Sequence, residues 1–283
     1  MEDKGNNILK SMPLYKWIFL LIGGSFLFLI LYSTAEITGS ISENVYLSYL
    51  FVTCAIVALI VIYIGFIHVV EKKSAKEKDL SLGIKDIGKG FLVGSCYITS
   101  IVLIMMILGC YRIESVQFDT KNIIFRLLFF LLVGVGEEVV FRGIIFRYIS
   151  ARWNFAIALV ISALLFGYIH ITNDNATIWS SLAIAIEAGL MLGAAYMYSG
   201  ALWFPIGIHW AWNFFEGIVF GTPVSGYVEN TTIFTSSING SDLITGGSFG
   251  PEASVVSVIL GIVVTIWFIY IYKKSINQNV KTE

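Results

Sequence analysis

Glu137, Glu138 and Arg142 stand in one apolar run, His170 ends the next, and His209 and Asn213 share a later one; these six side chains could do hydrolytic chemistry. Glu138 and Arg142 are four apart, share a helix face and can pair inside a membrane. Glu137 is rotated about 100° from Glu138, so it cannot share that arginine and is the carboxylate left to face a cavity. His209 and Asn213 are also four apart and share a face. Burial brings a glutamate toward the range where a general base works at neutral pH. Glu137 with His170 could hold and deprotonate a water for attack on a peptide carbonyl. His209 and Asn213 could donate hydrogen bonds to the oxyanion that develops. Glu137, His170 and His209 are equally a His₂Glu set, a familiar catalytic zinc combination. The sequence leaves both readings open: glutamate-activated water needing no cofactor, or zinc on those three residues.

The elements that must position these groups are membrane helices. The 283 residues are 57% hydrophobic and 13% charged, against roughly 25% charged in a soluble domain. Apolar runs of spanning length fall near 14–34, 46–70, 91–111, 123–149, 155–171, 180–198, 201–220 and 253–272. Only helices satisfy the backbone of an open chain in lipid. The expectation is therefore an all-α, polytopic helical bundle of about eight transmembrane helices. A charged side chain at the centre of such a helix costs on the order of 2.5–3.5 kcal/mol on insertion scales. Three of them within 137–142 therefore point to a functional site.

Lysine and arginine placement orients the bundle. Lys4, Lys10 and Lys16, the cluster Lys72, Lys73, Lys76, Lys78, Lys85 and Lys89, then Arg147 and Arg152, and finally Lys273, Lys274 and Lys281 all fall on one side. The loops 35–45, 172–179 and 221–252 lack both residue types, and 112–122, with Arg112 and Lys121, is the exception. Both termini are expected to be cytoplasmic. Residues 1–283 read as one integral membrane domain, with a catalytic core over 123–220 and 221–252 as an extracytoplasmic loop. Leu14–Tyr32 is too long for a signal-peptide core and reads as the first span. A net charge of −1 gives no basic footprint for nucleic acid. Cys54, Cys96 and Cys110 have neither disulfide-framework nor zinc-ligand spacing.

Depth links the separated residues. Counting from the cytoplasmic helix ends, Glu137 and His170 each lie about 22 Å up, His209 about 12 Å and Asn213 about 18 Å. Three helices thus bring an acid, two imidazoles and an amide into a layer less than about half a membrane thick. Glu187, at similar depth, could line the same cavity or be a protonated helix-contact residue, the second slightly favoured; Glu216 reads as structural and His68 as interfacial. Gly246-Gly247-Ser248-Phe249-Gly250 fits a Gly-x-Ser-x-Gly pattern, but that elbow needs a strand–turn–helix, so Ser248 reads as loop. Pro251 reads as the first residue of the last helix.

Glu-Glu-x-x-x-Arg at 137–142, Phe-x-x-x-His at 166–170 and His-x-x-x-Asn at 209–213 resemble the three motifs of the CPBP intramembrane proteases. That family includes type II CAAX prenyl endopeptidases and bacterial bacteriocin-processing, immunity and lysostaphin-resistance-like proteins. Gly143, the stretch Gly200-Ala201-Leu202-Trp203, and Gly246 through Glu252 extend the likeness. The resemblance implies a glutamate-dependent endopeptidase in a bacterial cell membrane, with Glu137 and His170 on the water and His209 and Asn213 at the oxyanion. Glu138 and Arg142 would support the site. Its substrate would be a membrane-embedded or lipid-anchored peptide or protein. The competing expectation is a non-catalytic scaffold, immunity or regulatory protein of the same fold.

Overall fold

The computed structural model describes residues 4–41, 44–72 and 83–280. Of the orienting residues, Lys73, Lys76, Lys78 and Lys281 lie outside them. The chain runs α1 (Lys4–Ser11), α2 (Leu14–Ile41), α3 (Val45–Glu71) and α4 (Ile84–Ile107), then a short strand β1 (Tyr111–Val116). Helix α5 (Thr120–Glu138) continues through a π-helical turn, Val139–Phe146, into α6 (Arg147–Arg152). Helix α7 (Phe155–Ile169) closes in a 3₁₀ turn, His170–Thr172. Helices α8 (Ile178–Ile184) and α9 (Leu190–Ser199) are joined by the π turn Ala185–Gly189. Helix α10 (Trp203–Phe214) ends in the π turn Phe215–Val219. After β2 (Phe234–Ile238) and α11 (Asp242–Thr245), the last helix is α12 (Val255–Val280).

The protein is an all-α polytopic integral membrane bundle. Among the described residues six helical segments are long and apolar enough to cross a bilayer: Leu14–Ala35, Val45–Glu71, Ile84–Ile107, Phe155–Thr172, Ile178–Ser199 and Val255–Gln278. The expected spans at 123–149 and 201–220 are helical as well but do not reach that measure. The first carries Glu137, Glu138 and Arg142, and the second is α10 with one short π turn.

Local chemistry sets the helix ends that matter for the site. Asn154 caps α7, its Oδ1 accepting from Ile157 N at 2.9 Å, which fixes where the count toward His170 begins. The capping box of Thr177 with Ser180 starts α8. Pro251 does not begin the last helix. It opens a 3₁₀ turn, Pro251–Ala253, and Ser254 is extended (ψ 150°), so α12 starts at Val255. Gly250 at φ +116° bends the chain into that turn, a conformation only glycine adopts readily.

Helix α10 is seated by glycines. A Cβ on Gly90 would collide with Phe204 O, one on Gly94 with Ile208 O, and one on Gly207 with Ile87 O. Gly90 and Gly94 form a Gly-x-x-x-Gly stripe that lets the backbones of α4 and α10 touch. His209 follows Ile208 directly, so this contact sets its height and rotation. At the end of the bundle bearing Arg147, the guanidinium pairs with buried Glu71, and its Nη1 bonds the Tyr63 hydroxyl at 3.0 Å.

The sequence pattern did not announce the strand pair. β1 and β2 are antiparallel, from Tyr111↔Ile238 to Val116↔Phe234, with an irregularity between Ile113 and Ser115. They tie the loop after α4 to the loop after α10.

Candidate active site

A cavity of about 330 Å³ is lined by Glu137, His170, His209 and Asn213 together. Its walls come from Phe129, Phe130 and Val133 of α5, Phe166 of α7, Ile184, Ala188 and Leu192 of the α8–α9 rod, Trp212 of α10 and Tyr32 of α2. The volume lies at the small end of the range for ligand sites, and the lining mixes apolar walls with polar and charged side chains, Arg126, Glu229 and Glu252 among them.

Glu138 is fully buried and does not line the cavity. Its Oε1 accepts from Arg142 Nη1 at 2.8 Å and from His209 Nδ1 at 3.0 Å. Arg142, also fully buried, donates from Nη2 to Gly189 O at 3.0 Å and lies 4.6 Å from the centre of the Phe166 ring. A π turn lengthens the ladder to i→i+5 and leaves carbonyls in need of other donors. Arg142 meets that need at the 185–189 turn. Ser162 Oγ does so for Phe141 O at 3.0 Å, and the Tyr63 hydroxyl for Gly143 O at 3.2 Å, in the 139–146 turn. The ion pair therefore clamps α5, the α8–α9 rod and α10 at one point.

The two imidazoles are fixed differently. His170 Nδ1 lies 2.7 Å from Phe166 O. A carbonyl can only accept, so Nδ1 carries the hydrogen and Nε2 of the neutral ring is an acceptor. His209 turns Nδ1 to Glu138, and its Nε2 lies 3.8 Å from Glu137 Oε2. Phe166 packs between them, its ring centre 4.9 Å from that of His170 and 6.0 Å from that of His209. The Asn213 side chain makes no hydrogen bond among the described residues, and it opens on the cavity one turn beyond His209.

Zinc does not fit this arrangement. Among the described residues no group of three or more His, Cys, Asp or Glu side chains stands close enough to hold one ion. Glu137, His170 and His209 line the same cavity but do not form such a group.

Two acids are set apart from the cavity lining. Glu187 Oε2 accepts from the Tyr97 hydroxyl at 3.0 Å, and Glu216 Oε2 from Trp212 Nε1 at 2.8 Å. Both are fully buried helix contacts. Ser248 sits in a 3₁₀ turn, Gly247–Phe249, on a separate depression with neither histidine near it.

Residues outside the motif core complete the cavity. Val224, Ser225, Tyr227, Val228 and Glu229 line it from the loop after α10, and Glu252 from the turn before α12. Val224 and Tyr227 bridge across Ser225 (φ +49°) and Gly226 (φ +94°), a two-residue hairpin with positive φ at both centres. Asn173 Nδ2 bonds Ser225 O at 3.0 Å, and Asn175 Nδ2 bonds Gly226 O at 3.2 Å. Glu252 Oε2 accepts from Ser225 N at 2.7 Å and from its Oγ at 2.8 Å. Burial pushes the Glu252 carboxyl up, and these two hydrogen bonds and the nearby His209 oppose the shift. Glu229 pairs with Arg126 Nε at 2.9 Å. Burial pushes the Glu229 carboxyl up too, against the Arg126 charge. The sequence offered one signal for this roof, an acid (Glu252) following Pro251 in the Gly-rich tail.

Residues 119–215 match the family of type II CAAX prenyl endopeptidase Rce1-like proteins. Over 119 residues the chain is 29% identical to a Bacillus subtilis (strain 168) protein named "Putative membrane peptidase YdiL", covering 42% of this chain. The chain spans 44% of the length of that relative. No solved structure matches. The matched stretch contains Glu137, Glu138, Arg142, His170, His209 and Asn213.

Proposed function

We propose that the protein is an intramembrane endopeptidase that uses Glu137 and His170 to activate water and His209 with Asn213 to stabilise the oxyanion. One observation carries this reading: an acid, two oriented imidazoles and an amide, from three helices, open on one cavity. A water between Glu137 and His170 donates one hydrogen to His170 Nε2, which is an acceptor because Nδ1–H is spent on Phe166 O. Glu137 takes the other proton as the oxygen attacks a peptide carbonyl, and later delivers it to the leaving amine. The tetrahedral oxygen receives hydrogen bonds from the Asn213 amide and from His209 Nε2–H. That donation requires the imidazolium form of His209, for which Glu138 supplies the counter-charge at Nδ1.

The apolar walls suit a hydrophobic peptide segment, and so a membrane-embedded or lipid-anchored substrate. The motif core 123–220 supplies the reacting groups, and the 221–252 loop roofs them. By the lysine distribution the roof lies on the extracytoplasmic side and both termini are cytoplasmic. Glu137→Ala and His170→Ala should abolish cleavage of a membrane peptide by the purified full-length protein while leaving it folded. Full cleavage by either variant would remove that residue from the mechanism, and no cleavage by the wild type, with full phenotype kept by both variants, would favour a non-catalytic scaffold.

A further inference from the structure

Arg126 and Glu137 are eleven residues apart on α5, which is three helical turns to within about 20°. They therefore share a face. Phe129, Phe130 and Val133 fill that face between them, and all five line the cavity. The cavity is thus a groove along α5 with the acid at its inner end and an arginine at its outer end.

The Arg126 guanidinium is held in place but incompletely used. Its Nε faces Glu229 at 2.9 Å, and its central carbon lies 5.3 Å from the Phe129 ring centre and 5.6 Å from that of Phe125. Neither Nη donates a hydrogen bond among the described residues, and the side chain is one-quarter exposed. A rigid guanidinium with free Nη donors, stacked on aromatic rings, is built to take a carboxylate in bidentate fashion. Glu229 faces Nε only, which leaves the Nη edge for a ligand, and its negative charge opposes an anionic one.

Resting on the endopeptidase reading above, we propose that Arg126 is the specificity residue of the groove and selects peptides bearing a carboxylate a set distance from the bond that is cut. The eleven-residue rise is about 16 Å, and an extended peptide advances roughly 3.3 Å per residue. The carboxylate therefore sits about five residues from the scissile bond. A chain-terminal α-carboxylate and an Asp or Glu side chain present the same chemistry.

The test uses full-length protein in detergent micelles and one internally quenched apolar peptide in three forms: free C-terminal acid, C-terminal amide, and amide with a single Asp moved stepwise along the chain. Binding is read by fluorescence anisotropy on the Glu137→Gln variant, which needs no turnover, and cleavage on the wild type. The acid form, or the Asp form at about five residues from the cut, should bind about tenfold more tightly than the plain amide. Preference for the free acid identifies a terminal carboxylate, and preference for the placed Asp identifies a side chain. Arg126→Gln should remove that margin by weakening only the carboxylate-bearing peptide, raising its KM with kcat unchanged. Arg126→Lys should restore part of it, and Glu229→Gln should tighten binding of the same peptide. Equal binding of acid, amide and Asp forms, a uniform loss across all peptides in Arg126→Gln, or no measurable binding would overturn the proposal. Carboxylate-selective binding with no peptide cut would keep the specificity site and discard the endopeptidase. Cleavage without carboxylate preference would do the reverse.

Discussion

His209 Nδ1 bonds the Glu138 carboxylate at 3.0 Å across two helices, on the same oxygen that Arg142 engages at 2.8 Å. A glutamate that pairs with arginine along its own helix thus also sets the ring orientation of a residue seventy-one positions away. Glu138→Gln keeps the shape but removes the counter-charge that His209 needs at Nδ1. The expected result is a fall in kcat of roughly 10–100-fold, the scale seen when a histidine loses its orienting carboxylate at metal sites, with little change in KM. Glu138→Ala should also lower stability by about 3–5 kcal/mol, because Arg142 is left buried without its partner. Thermal unfolding in detergent beside peptide-cleavage kinetics separates the two effects.

Glu137 and His170 should behave differently from Glu138. Each opens on the cavity, and general acid–base groups contribute about 10²–10⁴-fold. Glu137→Gln and His170→Ala should each lose at least that factor in kcat and unfold near the wild-type temperature. Retained activity in Glu137→Gln would remove the proposed base.

The glycine stripe of α4 makes a prediction remote from the chemistry. Gly94→Leu drives a side chain into Ile208 O, one residue before His209. Overpacking of this kind costs about 1–3 kcal/mol, so the yield of folded protein should drop. Surviving protein should lose activity through displacement of His209 and Asn213. Leu at Gly88, where a Cβ meets nothing within 4 Å, is the control and should leave both unchanged.

Glu252 gives a pH signature to the roof. Burial holds its carboxyl above the ordinary glutamate value, with Ser225 and His209 opposing, and Glu216 is its carboxylic neighbour. Glu229 is raised in the same direction, with Arg126 opposing. A raised carboxyl makes the folded state bind protons more tightly than the unfolded chain. Its contribution is complete below the ordinary glutamate range and is lost as pH rises through the folded value. Wild-type protein should therefore unfold at a lower temperature as pH rises from the mildly acidic range. Glu252→Gln should flatten part of that slope; an unchanged slope would show that the roof carboxyl does not titrate in this window.

The sequence by itself determined that these segments are membrane helices, because a long apolar run in lipid can satisfy its backbone only within itself. It also determined the reach from Glu138 to Arg142, because four residues on a helix is a local distance. Depth counting along three helices could put Glu137, His170, His209 and Asn213 in one layer, because rise per residue is nearly constant. Rotation and lateral packing are not local, and they decided the rest. The contact of Glu138 with His209 depends on how closely α4 admits α10, which Gly90 and Gly94 set through backbone contact. The π turns at 139–146, 185–189 and 215–219 have no composition of their own; they persist where a neighbour such as Arg142, Ser162 or Tyr63 takes up a displaced carbonyl. The pairing of 111–116 with 234–238 and the roof held by Asn173, Asn175 and Glu252 join segments too distant for any periodicity to connect. Helical geometry gave the glutamate doublet its two directions, and only the packed bundle showed that the buried glutamate turns a histidine toward the other one.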